Sequence, residues 1–228
     1  MAQDLLIPVG GGIDTVAGKV GVTVGGRGHS AYVRYCKPLI DFLGALLLFV
    51  LTSPVIMVVA LLVRCSMGSP VLFKQRRVGR NGRIFTIYKF RSMLPDRRVA
   101  SESYDGPDRR VCHKSVHDPR ITPVGRFIRK WSLDELPQLF NVLAGHMSLV
   151  GPRPELVEIV ERYHPWQHQR HEVKPGLTGL WQVSARGDGL MHEYVGIDLT
   201  YVQRVSFLLD VKLLLATVPV ALGQRRGE

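Results

Sequence analysis

The longest uninterrupted apolar run extends from Phe42 to Val63, with no charged residue inside it. As a helix rising ~1.5 Å per residue, it is long enough for a hydrocarbon core of ~30 Å. Ser53-Pro54 stands near its middle. Proline removes a helical hydrogen bond and crowds the preceding turn, so a kink is predicted there. The freed carbonyl would be taken up by the hydroxyl of Ser53 or Thr52. Both flanks are basic: Arg34 and Lys37 come before, and Arg64, Lys74, Arg76 and Arg77 after. The positive-inside tendency then places both ends on the cytoplasmic side. Asp41 stands at the start, where a helix N-terminus tolerates a carboxylate. Two arrangements remain on this pattern: a kinked spanning helix, or one that enters, bends at Ser53-Pro54 and returns.

A second apolar stretch, Val205 to Leu222, contains Asp210 and Lys212, with Pro219 near its end. Ionisable residues at mid-bilayer are costly, so an amphipathic helix on the membrane surface or against the domain is predicted instead of a span. Between the two stretches, Val71 to Phe90 reads as a β-hairpin, with β-branched and aromatic arms around Arg80-Asn81-Gly82. Pro95 to Lys114 is polar and reads as a loop. Short helices are predicted over Val124–Trp131, Pro137–Ala144, Leu156–Tyr163 and His192–Val205. Pro137 in the first turn and Gly145 just past the end fit the preferences of helix termini. Lys174-Pro175-Gly176 breaks the chain before an extended Leu180–Val183. The fold class is α+β, mainly helical.

Composition adds a sign. Lys plus Arg is 30 and Asp plus Glu 19 in 228 residues, a formal charge of +11. The partner is therefore anionic: nucleic acid, anionic lipid or a phosphorylated substrate. No helix-turn-helix, zinc-finger or aromatic RNA-binding signature is present, which argues against nucleic acid. Cys36, Cys65 and Cys112 are odd in number and form no CxxC pair, so they read as reduced thiols facing a cytoplasm. Residues 1–30 are glycine-rich without a basic leader, and read as a flexible tail and not a secretory signal. The histidines, among them His113, His117, His164, His168 and His171, build no metal site.

Candidate chemistry concentrates in Arg129-Lys130-Trp131-Ser132-Leu133-Asp134-Glu135-Leu136-Pro137-Gln138. Ser132 and Glu135 have capping-box spacing, but Pro137 and its effect on the preceding residue move the predicted helix start to Pro137. Asp134 and Glu135 would then sit just ahead of a helix N-terminus, which favours anions. The pair is either a solvated surface feature or a division of labour. In the latter, one carboxylate holds a magnesium ion and the other attacks phosphorus, with Arg129 orienting the nucleophile or neutralising the phosphoryl group. Gly151-Pro152-Arg153-Pro154 is a rigid turn or an anion site with a pre-aimed guanidinium. Lys89 and Arg91 share a strand face by alternation, and suit a phosphate site, a solvated edge or lipid headgroups.

Several of these motifs recur together, in order. Lys37-Pro38-Leu39-Ile40-Asp41 and the Ser53-Pro54 break are followed by YKFRSM and DPRITPVGRFIRKWSLDELPQLFNVLAGHMSLVGPRPE. KPGLTGLWQVSAR and DLTYVQRVSFLLDVKLLL come next. In this the chain resembles the monotopic phosphoglycosyl transferases, or bacterial sugar transferases, from about Tyr35 to Leu222. The resemblance implies a re-entrant membrane helix (31–66) joined to a small cytoplasmic catalytic domain (67–222) with a β-hairpin and interfacial amphipathic helices, followed by a tail at 223–228. It implies that Asp134 is the nucleophile and that Glu135 binds Mg2+. By the same resemblance, Arg129 is a partner of the phosphate or the dyad, Arg153 lies near the nucleotide or phosphate, and Lys89 and Arg91 are the basic pair after the hairpin. The implied reaction moves a sugar-1-phosphate from a UDP-sugar to a polyprenyl (undecaprenyl) phosphate. It releases UMP through a phospho-aspartyl intermediate, as the first membrane step of a surface glycan pathway. The implied location is the bacterial inner membrane, cytoplasmic face, in contact with membrane lipids, and a homodimer is compatible with it. The chain departs from the family pattern at Pro38, where a second basic residue is usual, and around Gly189–Gly196. It resembles the minimal catalytic form. A non-catalytic lipid-binding scaffold and a conventional glycosyltransferase releasing UDP are the rival readings.

Overall fold

The computed structural model describes residues 31–94, 120–184 and 195–221. The glycine-rich segment, the polar loop with Cys112, His113 and His117, most of the Gly189–Gly196 departure and the C-terminal tail lie outside them.

The apolar run becomes one long helix, α1 (Lys37–Met67), preceded by a π-helical turn over Tyr32–Cys36. Helical structure continues across Pro54, because the carbonyl it orphans is re-satisfied: Ser53 Oγ donates to Val50 O at 2.8 Å. Thr52 Oγ1 makes the neighbouring bond to Leu48 O at 2.7 Å. α1 is the one helix among the described residues long and apolar enough to cross a membrane. Its contacts nonetheless follow a single stripe from end to end. Lys37, Asp41, Ala45, Val59 and Val63 are buried, and Phe49, Ile56 and Met67 complete the row at helical spacing. The opposite face, including Leu43, Leu47, Leu51 and Leu61, is exposed.

The domain against that stripe begins with the predicted hairpin, β1 (Leu72–Val78) and β2 (Ile84–Phe90), paired antiparallel. Asn81 (φ 54°) and Gly82 (φ 74°) make the left-handed turn that Asn-Gly favours. The outer edge of β2 is closed by a side chain. Asn141 Nδ2 donates to Thr86 O (2.7 Å) and Tyr88 N donates to Asn141 Oδ1 (3.2 Å), so the amide stands in for a strand. Helix α2 (Pro123–Lys130) is capped by Thr122 Oγ1, which accepts from Gly125 N at 2.9 Å.

Three local expectations are corrected. Between Ser132 and Leu139 the chain forms a 3-10 turn over Leu133–Gln138, then α3 (Leu139–Leu143). Asp134 and Glu135 therefore lie inside the first turn instead of ahead of it. Ser132 adopts φ 53° and makes no side-chain cap. Glu135 N reaches Ser132 O (3.1 Å) before Pro137, and Leu139 N reaches Leu136 O after it, so the missing proline N–H falls between two short turns. The predicted helix at 156–163 shrinks to α4 (Val157–Val160), because Glu155–Leu156 is recruited as strand β4 beside β1. The stretch from Leu180 is α5 (Leu180–Ser184) and not extended; it packs on α6 (Val195–Arg204) and α7 (Phe207–Ala221).

Strands β3 (Ser148–Val150) and β5 (Gly176–Thr178) pair in parallel as a second sheet, separate from the sheet β2-β1-β4. Their ends approach so closely that a Cβ on Gly176 would sit 2.1 Å from Gly151 N. The main core lies where Ala45 of α1 meets Ile87, Leu139, Met147, Leu149 and Leu213; a second joins Val59 and Val63 to Phe90 and Ile128. A buried polar latch fixes the start of α1 to α7. Lys37 Nζ lies 2.6 Å from Asp210 Oδ2, which also accepts from Tyr32 OH (2.6 Å), while Tyr201 OH donates to Asp210 Oδ1 (2.7 Å). Asp41 Oδ1 accepts from Leu149 N at 3.0 Å. Asp210 thus sits inside the protein at a point that sequence marked only as costly for lipid.

Candidate active site

Three segments remote in sequence converge on one carboxylate oxygen. β2 supplies Lys89, the 3-10 turn supplies Glu135, and the loop between β3 and β4 supplies Arg153. Lys89 Nζ is 2.9 Å and Arg153 Nη2 3.0 Å from Glu135 Oε1. The hydrogen bonds of Asn141 to β2 hold the turn at this distance, because α3 continues directly from it. All three side chains are largely buried. Burial by itself would raise the Glu135 pKa, but the charges of Arg153 and Lys89 override it and hold the carboxyl well below the usual carboxylate range. Lys89 shares that one carboxylate with a competing guanidinium. Burial pushes its ammonium below the ordinary lysine value, Glu135 opposes the push and Arg153 adds to it.

Asp134 is half-buried next to this cluster, and its charge acts on both Lys89 and Arg153. Arg129 occupies the last turn of α2, where its carbonyl accepts from Ser132 N (3.1 Å) and so ties α2 to the turn. Arg91 separates from Lys89. Beyond the end of β2 its guanidinium turns to the C-terminus of α1, donating to Ser69 O (3.2 Å), Gly68 O (2.8 Å) and Met67 O. A cation at the carbonyl end of a helix is favourable, so Arg91 caps α1. Alternation put the two residues on one face, but the strand stops between them.

Among the described residues there is no group of three or more His, Cys, Asp or Glu that could hold a metal ion. The local chemistry still fits one kind of ion. Lys89 and Arg153 both donate hydrogen bonds to Glu135 Oε1, and among the described residues no hydrogen bond reaches Oε2. Magnesium is commonly held by one or two carboxylates together with substrate phosphates, and not by a protein cage. An ionised Glu135 suits that pattern. A shallow groove of ≈ 360 Å³ on α2, lined by Pro123, Arg126, Phe127 and Lys130, does not include the carboxylate pair.

Sequence reasoning missed the supporting residues Asn141, Arg77, Arg170 and Asp198. Asn141 and Asp198 lie in apolar runs and Arg77 and Arg170 in polar ones, and only the contacts made in the folded chain show what they hold. Trp181 is buried and Trp166 exposed. Cys36 and Cys65 are free and exposed.

A turn bearing adjacent carboxylates, one of them gripped by a lysine and an arginine, packs beside the long apolar helix. The chain belongs to the bacterial sugar transferase family, whose sequence pattern matches residues 32–224. It is 47% identical over 158 residues to the galactosyl transferase CpsE of Streptococcus agalactiae, covering 68% of this chain and 35% of that protein. It is 44% identical over 182 residues to the sugar transferase EpsL of Bacillus subtilis, covering 80% of this chain and 85% of that one. With the undecaprenyl-phosphate galactose phosphotransferase of Salmonella typhimurium it shares 40% identity over 195 residues, 83% of this chain and 41% of the relative. The chain thus spans less than half of two of these relatives and most of the third.

Proposed function

We propose that this chain transfers a sugar-1-phosphate from a UDP-sugar to a polyprenyl phosphate. The observation that carries the reading is the Glu135 carboxylate held by Lys89 and Arg153 directly beside Asp134. Relatives named as undecaprenyl-phosphate sugar phosphotransferases support it. In the first half-reaction an Asp134 carboxylate oxygen attacks the phosphorus that bears the sugar. The bond from that phosphorus to the bridging oxygen breaks, and the electron pair leaves with UMP. In the second, a polyprenyl phosphate oxygen attacks the same phosphorus and the Asp134 carboxylate departs, giving polyprenyl diphosphate sugar. Lys89 and Arg153 bind the phosphoryl oxygens as their charge grows, in a site too buried for water to screen them. Arg129, at the end of α2, orients the turn that carries Asp134. Glu135 would hold Mg2+, which would offset the diphosphate charge.

We further propose that α1 is re-entrant, with the catalytic domain on the cytoplasmic face of the inner membrane. Two features support this: Lys37 and Asp41 at one end and Val63 and Met67 at the other pack on the same domain, and both flanks are basic. A helix whose two ends rest on one domain cannot place them on opposite sides of a bilayer without pulling one end free.

The test is nucleotide release by the protein in nanodiscs with Mg2+ and a panel of UDP-sugars, with and without undecaprenyl phosphate. Lipid-dependent UMP release that Asp134→Asn abolishes is expected. Release of UDP would assign a conventional glycosyltransferase and overturn the phosphoryl route.

A further inference from the structure

The loop that delivers Arg153 has an unusual hydrogen-bond inventory. Pro152 and Pro154 have no N–H, so the segment offers acceptors and almost no donors of its own. Its three successive carbonyls are nevertheless all satisfied. Pro152 O accepts from Gly176 N (2.8 Å), Arg153 O from Arg170 Nη2 (2.8 Å) and Pro154 O from Arg77 Nη1 (3.0 Å). Two of the three donors are therefore arginine side chains, from an element downstream and from β1.

Arg170 is 2% exposed and is itself held on every side. The two hydrogens of Nη2 divide between Arg153 O and Asp198 Oδ2 (2.5 Å), and Nη1 donates to Tyr163 OH (2.5 Å). Glu155 lies between the two guanidiniums, 3.6 Å from Arg77 and 4.0 Å from Arg170. A guanidinium this deep requires carboxylates to balance it, and Asp198 and Glu155 supply them. Arg170 reaches the site through the Arg153 peptide.

We infer that Arg170, backed by Asp198, is a positioning residue for Arg153: it fixes the Arg153 carbonyl and thereby aims that guanidinium at Glu135. The chain of contacts runs Asp198, Arg170, Arg153, Glu135. Lysine keeps the charge but lacks the planar fork, in which a second nitrogen bonds Tyr163 while the first serves Arg153 O and Asp198. The inference rests on the phosphotransfer reading for its kinetic arm only.

The experiment uses the full chain in nanodiscs and a double-mutant cycle. Arg170→Lys is expected to lower kcat/KM by roughly 10–100-fold, because small misplacements of a catalytic group have effects of that size. In an Arg153→Ala background the same change is expected to cost less than about twofold more, since the guanidinium that Arg170 aims has gone. Hydrogen exchange of the peptide covering 148–156 is expected to accelerate in Arg170→Lys, with α1 and α7 unchanged. Equal losses in both backgrounds, full activity of Arg170→Lys, or uniform loosening of the whole domain would each overturn the assignment. Should Arg170→Lys not fold, Asp198→Asn takes its place in the cycle with the same expected pattern; should Arg153→Ala be too slow to measure, the exchange measurement decides the assignment. If the wild-type chain releases no UMP, the phosphotransfer reading fails, and the exchange measurement still decides the positioning role.

Discussion

Replacing Lys37 with methionine tests the latch between α1 and the domain. Met keeps the apolar stem and removes the ammonium. Asp210 would then keep its bonds from Tyr32 and Tyr201 but lose the cation 2.6 Å away, and Asp41 would lose the same charge at 3.8 Å. Both carboxylates are nearly inaccessible, at 5% and 6% exposure. Breaking a buried pair by removing one partner costs roughly 3–5 kcal/mol. The two remaining phenol bonds place this case at the lower end, at about 3 kcal/mol. For a domain of this size, that corresponds to a fall of roughly 6–12 °C in melting temperature. The assay is thermal unfolding in detergent or nanodiscs, followed by tryptophan fluorescence. Lys37→Met/Asp210→Asn is expected to recover more than half of the loss, because the stranded charge goes with its partner. A single-variant shift below about 2 °C, or a double variant that simply sums the two single losses, would refute the reasoning.

Cys36 and Cys65, exposed near the two ends of α1, are natural reporters of topology. In spheroplasts and inverted vesicles of a Cys112→Ser variant, an impermeant maleimide is expected to label both from the cytoplasmic face alone; labelling from opposite faces would show that α1 spans. Loss of the Lys89 proton frees Glu135 from one of its cations, so activity is expected to fall on an alkaline limb below the ordinary lysine value, and Lys89→Arg should move that limb upward. By linkage, the same depressed Lys89 makes the native state bind fewer protons than the unfolded chain, so its penalty on stability is relieved as pH rises through the native value; an unchanged limb in Lys89→Arg would sink the assignment. His171 is pushed down from 6.5 to about 4 by burial and then by Arg170. The unfolded chain takes up that proton first, so stability is expected to fall between those two values by up to ~1.4 kcal/mol per pH unit. His171→Phe should flatten the slope, and an equal slope in denaturant titrations of both proteins would contradict the cause.

The elements that sequence located correctly are those whose determinants are local. Asn81-Gly82 dictates a left-handed turn wherever it is placed, Thr122 caps the helix that follows it, and Ser53 lies one residue from the proline whose orphaned carbonyl it satisfies. The ordered motifs around Asp134-Glu135 and Arg153 also marked one site and one family before any geometry. Where local signals competed with distant partners, the distant partners won. Leu156 carries a helical pattern but completes an edge of the sheet; Leu180 follows a chain break yet coils against α6 and α7.

Sequence by itself determined the family of this protein, its apolar helix and the residues proposed for its chemistry, because periodicity, turn propensity and motif order are written over a few neighbouring positions. Only the tertiary structure decided which charges meet. Lys89 reaches Glu135 across 46 positions, Arg153 across 18 and Lys37 reaches Asp210 across 173, while Arg91, two residues from Lys89, turns away to cap α1. Ion pairing depends on separations of a few ångströms and on burial, and neither quantity exists until the chain has closed on itself.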